Sequence, residues 1–97
     1  MKPWREVLAE RGWERDKLQR STGREQWSIE GNDDVRWRLT MEREPLGWNP
    51  LVWRGPVLAF EMDDYVDDTE DAAFAALMAK PIGPGRVTVG VLLGVSV

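Results

Sequence analysis

Ninety-seven residues, 42% hydrophobic and 31% charged, suffice for one domain with a single core and match a globular rather than a disordered chain. Cysteine and histidine are both absent, which excludes a disulfide framework, thiolate chemistry and the imidazole that most often serves as general base or transition-metal ligand. The net charge of −4 is unevenly spread: residues 1–56 carry eleven basic and ten acidic side chains, residues 57–97 two basic and seven acidic, and the missing Lys/Arg clusters argue against general DNA binding.

Pro3 suits a first helical turn, and Trp4, Val7, Leu8 and Arg11 recur at helical spacing, so a helix is predicted from about Pro3 to Arg11 with Gly12 as its C-terminal cap. The segment Trp13–Gln19 fits either a helical turn or a polar strand, and Ser21-Thr22-Gly23 a loop. Trp27 and Ile29, then Val35, Trp37, Leu39 and Met41, alternate with polar residues and predict a hairpin. A two-residue turn at Gly31-Asn32 would set Ile29 against Asp34, mixing core with solvent. Pairing Ile29 with Val35 and Trp27 with Trp37 keeps the faces consistent and requires a loop of odd length, three or five residues.

Glu44–Pro50, with two prolines and a glycine, reads as a connection. Leu51–Arg54 and Val57–Met62 read as strands around a bend at Gly55-Pro56, followed by an acidic loop over Asp63–Asp68. Asp68-Thr69-Glu70-Asp71 then opens a helix, with Asp68 as cap and carboxylates at the positive end of the dipole. Phe74, Leu77 and Met78 form its apolar stripe among alanines, and Pro81 stops it. Val87, Val89, Val91, Leu93, Val95 and Val97 then alternate with small residues, so Arg86–Val97 is predicted to be a strand beneath the alanine-rich helix. The expectation is one α+β domain, residues 1–97, in the order α-β-β-β(-β)-α-β. Its sheet is small, mostly antiparallel, of four or five strands, with both helices on one face.

Three clusters stand out. The first is acidic: Asp63, Asp64, Asp67 and Asp68, continuing to Glu70 and Asp71. It lacks the alternating ligands and central glycine of a calcium loop, so it is either an ordinary solvated approach to a helix or a contact surface for a basic partner. The second is the set of six tryptophans. Trp4, Trp27 and Trp37 are assigned to the core, Trp13 and Trp53 are less easily placed, and Trp48, in the connection, is the first candidate to engage a partner. The third is Arg36 and Arg38 on the solvent face of the hairpin with Arg54 near them, a possible grip for phosphate or carboxylate. Alternation along a strand puts neighbouring Arg and Trp side chains on opposite faces, which weakens a nucleic-acid reading.

Enzyme motifs are missing: Gly83-Pro84-Gly85 has no phosphate-loop lysine, and Ser21, Ser28 and Ser96 have no partner base. The composition therefore favours a non-enzymatic protein-binding module without metal or cofactor. Such a module would be an acidic inhibitor, immunity-type or phage-encoded anti-host protein that blocks a basic partner surface through Asp63, Asp64, Asp67, Asp68 and Trp48. One alternative is a single-stranded nucleic-acid binder using Arg36, Arg38, Arg54 and exposed tryptophan; another is a subunit of a homo-oligomer paired through the C-terminal strand. No signal-peptide pattern opens the chain and its longest apolar run is too short to span a bilayer, so a cytoplasmic protein is expected.

Overall fold

The computed structural model describes residues 2–16, 24–62 and 68–95. Helix α1 spans Trp4–Glu10, followed by the strands β1 Glu14–Arg15, β2 Arg24–Glu30, β3 Arg36–Glu44, β4 Gly47–Arg54 and β5 Val57–Glu61, then the helices α2 Glu70–Met78 and α3 Val89–Leu92. The strands pair in chain order, each antiparallel to the next, as one five-stranded sheet. This is the α+β architecture expected, with α1 and α2 packed into a single core on one face of the sheet. No described helix is long and apolar enough to cross a membrane.

Helix α1 ends as its glycine requires. Gly12 adopts φ +87°, and the N–H groups of Gly12 and Trp13 donate to the carbonyls of Ala9 and Leu8, closing a Schellman motif. The hairpin loop has odd length, five residues, but the register lies two residues from the expected one: Ile29 faces Trp37 and Trp27 faces Leu39. The loop takes up all of 31–35, with Gly31 N–H donating to Val35 C=O and Asp34 at φ +60°. A Cβ on Gly31 would come within 2.8 Å of that carbonyl, so the turn needs a glycine there. Because the offset is even, every side chain keeps its expected face.

The predicted connection Glu44–Pro50 is instead a tight turn plus a strand. Glu44 pairs with Gly47, so only Pro45 and Leu46 turn the chain, and Trp48 lies on β4 rather than in a loop. Pro50 sits one residue beyond the last pair of β4 with β5, at Leu51 and Glu61, where a strand tolerates a missing N–H. Gly55-Pro56 makes the next two-residue turn, and a bulge at Ala59 lets Val52 pair with Phe60 and Trp53 with Leu58.

Helix α2 begins one residue later than the sequence suggested. Thr69, not Asp68, is its cap, with Oγ1 accepting from Ala72 N–H at 3.1 Å. Phe74, Leu77 and Met78 are buried as predicted, each side chain stabilising the domain by about 1.5–3 kcal/mol through burial.

The largest correction is at the C-terminus. Among the described residues, extended pairing survives here only where Pro81 bridges Thr88, with Ile82 N–H donating to Val87 C=O and Val89 N–H to Lys80 C=O. Thr88 Oγ1 then caps Val91 N–H, and the chain winds into α3. Gly94 at φ +74° ends it, with Gly94 N–H to Val91 C=O and Val95 N–H to Gly90 C=O forming a second Schellman motif. A cap and a stop six residues apart outweigh the alternation, and the sheet is already complete from consecutive strands. Val89 and Val95 enter the core, whereas Val87, Val91 and Leu92 stay exposed. The proposed cross-chain pairing of a C-terminal strand loses its basis with the strand.

Candidate functional site

The two faces of the sheet differ in what they offer. On the helix side, Trp27, Leu39, Met41 and Val52 join Trp4, Leu8, Phe74 and Leu77 in the core. Acidic residues there hold the elements together. Asp71 Oδ1 accepts from Trp4 N–H at 2.8 Å, Glu70 Oε2 from the Trp4 indole at 2.8 Å, and Arg5 joins Glu70 at 2.8 Å. The end of the acidic stretch is thus structural: Asp71 satisfies a backbone N–H of the first turn of α1, and Glu70 holds the side chains of Trp4 and Arg5. Asp68 is exposed, and Asp63, Asp64 and Asp67 lie outside the described residues. A concavity of about 320 Å³ between the helices is lined by Trp4, Phe74, Met78, Thr88 and Val95. Its charged members are already engaged, Asp71 with Trp4 and Lys2 with Glu10.

The opposite face carries no described helix. The registers place Ser28, Arg36, Arg38, Thr40, Leu51, Trp53 and Leu58 on it. Trp53 is half-buried near the middle, its indole N–H donating to the fully buried Thr40 hydroxyl at 3.3 Å. The Arg38 guanidinium lies over that indole, 5.5 Å from the ring centre, and Nη2 donates to Gly55 C=O at 2.9 Å. Arg36 donates from Nε and Nη2 to Ser28 Oγ at 3.1 and 2.9 Å. Glu14, Glu30, Glu42 and Glu61 surround this centre by register, Glu42 paired with Arg24 at 3.2 Å.

The Arg–Trp contacts arise between strands, where the alternation within one strand does not reveal them. Within one strand Arg and Trp do point to opposite faces, but β3 and β4 are antiparallel, so Arg38 meets Trp53, Arg43 meets Trp48 and Trp37 meets Arg54 as register partners. All three guanidinium groups lie within 6 Å of the opposing ring centre. Recognising Pro45-Leu46 as a two-residue turn would have revealed them. Arg54 is consequently not beside Arg36 and Arg38: it lies across Trp37 on the other face, ion-paired to Asp33, whose carboxyl it holds below the usual range. Trp48 is half-buried against the core rather than free in a loop.

Among the described residues no cluster of three His, Cys, Asp or Glu is placed to hold a metal ion. Chemically the open face offers planar cations, an aromatic and two leucines, a set suited to recognition. Comparison with known proteins finds no matching family model, no matching curated protein and no matching solved structure.

Proposed function

We propose that this chain is a non-enzymatic protein-binding module that docks through the open face of its sheet, with Trp53 at the centre of the contact. The supporting observation is the position of Trp53: a large, half-buried aromatic on a face without a described helix, flanked by Arg38, Leu51 and Leu58. Tryptophan and arginine dominate the energetic centres of protein interfaces, and a polar rim excludes water around them. Here the rim is acidic, with Glu14, Glu30, Glu42 and Glu61 on it by register, which suits a partner with basic residues bordering the contact. The module would act by occupying its partner's surface, as an inhibitor or adaptor does. A chain without cysteine suits a reducing compartment, and we place it in the cytoplasm.

Immobilised wild type, Trp53→Ala and Leu46→Ser, the last an exposed turn residue away from the face, test this on lysate from the native source. A protein retained by wild type and Leu46→Ser and lost from Trp53→Ala supports the reading. Identical retention by all three overturns it, as does retention that nuclease treatment abolishes, which would favour a nucleic-acid ligand stacked on Trp53.

A further inference from the structure

Arg36 and Arg38 are cations on the open face, in the first half of its middle strand β3, and both lack an ion-paired carboxylate among the described residues. Arg5, Arg15, Arg24 and Arg54 each have one. Arg36 is instead held by a hydroxyl and Arg38 by a backbone carbonyl. These neutral acceptors orient the guanidinium groups, and among the described residues no carboxylate, not even that of the register partner Glu30, closes an ion pair with either. A guanidinium has five N–H donors, so each keeps donors for a second acceptor. Stacking on Trp53 further fixes the plane of Arg38.

Two residues apart on one strand, Arg36 and Arg38 are spaced by about 7 Å. An extended peptide with carboxylates on alternate residues has the same repeat. Beside them Trp53 and Leu58, which are register partners, supply an apolar floor. The flanking Glu14, Glu30, Glu42 and Glu61 disfavour a continuous phosphate backbone, which needs a broad basic field. Resting on the protein-binding reading above, we propose that the partner presents an extended acidic segment. Two carboxylates at alternate positions engage Arg36 and Arg38, and a neighbouring apolar side chain lands on Trp53 and Leu58.

The test titrates isotope-labelled protein with acetyl-Glu-Thr-Glu-Thr-Leu-amide, its Gln-Thr-Gln-Thr-Leu counterpart and a short oligothymidylate. The readout is the Trp53 indole N–H resonance, assigned with Trp53→Phe. The acidic peptide should move that resonance saturably, and the glutamine peptide should bind about tenfold more weakly. Arg36→Gln and Arg38→Gln should each lose about tenfold, and the lysine variants should fail to restore it because lysine lacks the planar fork. Arg11→Gln, just past the end of α1, should change nothing. Equal binding of the two peptides overturns the proposal, as does the absence of any shift at millimolar peptide. A shift produced by the oligothymidylate alone does so too. The wild-type peptide comparison stands even if an arginine variant fails to fold. Partner capture that depends on Trp53 while the acidic peptide fails would remove the acidic segment and leave the docking face.

Discussion

Glu25 is the most heavily engaged side chain on β2. Its carboxylate accepts from Arg5 at 2.9 Å and from the Trp27 indole at 2.7 Å, and Arg15 stands 3.3 Å away. Burial pushes its pKa up, but hydrogen bonds from Arg5 and Trp27 and the charges of Arg5 and Arg15 outweigh it, leaving the group below its ordinary value of 4.5. A carboxyl lowered in the folded state stabilises that state above the ordinary value, and the contribution is lost as pH falls through the folded one. Glu25→Gln keeps an oxygen for the indole and removes the charge. The expected cost is about 1–2 kcal/mol at neutral pH, shrinking towards zero as pH drops below 4.5. Urea denaturation of both proteins at neutral pH and near pH 3 measures this, and a gap that persists in acid would show that the ion contacts contribute nothing. None of this was visible in the sequence. Glu25 reads there as one polar residue beside Trp27, and its partners Arg5 and Arg15 come from other elements.

At the scale of elements, the contrast between α1 and α3 explains what was legible. Helix α1 has apolar spacing and a terminal glycine that agree, so its end at Gly12 follows from the sequence alone. In 86–97 two signals conflict: valines alternate as in a strand, while Thr88 and Gly94 bracket a helical turn. Local capping prevailed because the turns at Pro45-Leu46 and Gly55-Pro56 let the middle of the chain complete the sheet. The turn at Gly55-Pro56 is legible in the sequence, but Pro45-Leu46 is hidden in a stretch of Pro and Gly that resembles an irregular connection, which also conceals the pairing of Arg38 with Trp53. Two substitutions check the account of α3. Thr88→Ala removes the cap and should cost about 1 kcal/mol. Gly94→Val forces a β-branched residue to φ +74° and should cost more than about 1–2 kcal/mol, although valine would favour a strand at that position. Equilibrium denaturation reads both, and an unchanged or increased stability of Gly94→Val would mean that the segment prefers to extend.

The molecule as a whole is joined at Trp4. This residue is 1% exposed and touches each layer: its ring meets Trp27 of the sheet edge-on with centroids 6.3 Å apart and lies 6.1 Å from Phe74 of α2. Its indole and backbone N–H groups donate to Glu70 and Asp71, so one side chain and one amide tie the start of the chain to a helix 66 residues later. The polarised charge of the chain was legible, yet not its partial use here, where acidic residues of the second half serve as acceptors for the first. Trp4→Ala should therefore cost about 3–5 kcal/mol, a large share of the 5–15 kcal/mol that holds a typical domain together. Trp4→Phe keeps an aromatic ring between Trp27 and Phe74 and loses the indole donor. Glu70 still has Arg5 as its partner at 2.8 Å, so the cost should be smaller, about 1–2 kcal/mol. Denaturant unfolding followed by circular dichroism orders the two variants. If Trp4→Ala and Trp4→Phe are equally stable, the packing of the ring contributes little, and the helices must be held to the sheet by α2 alone.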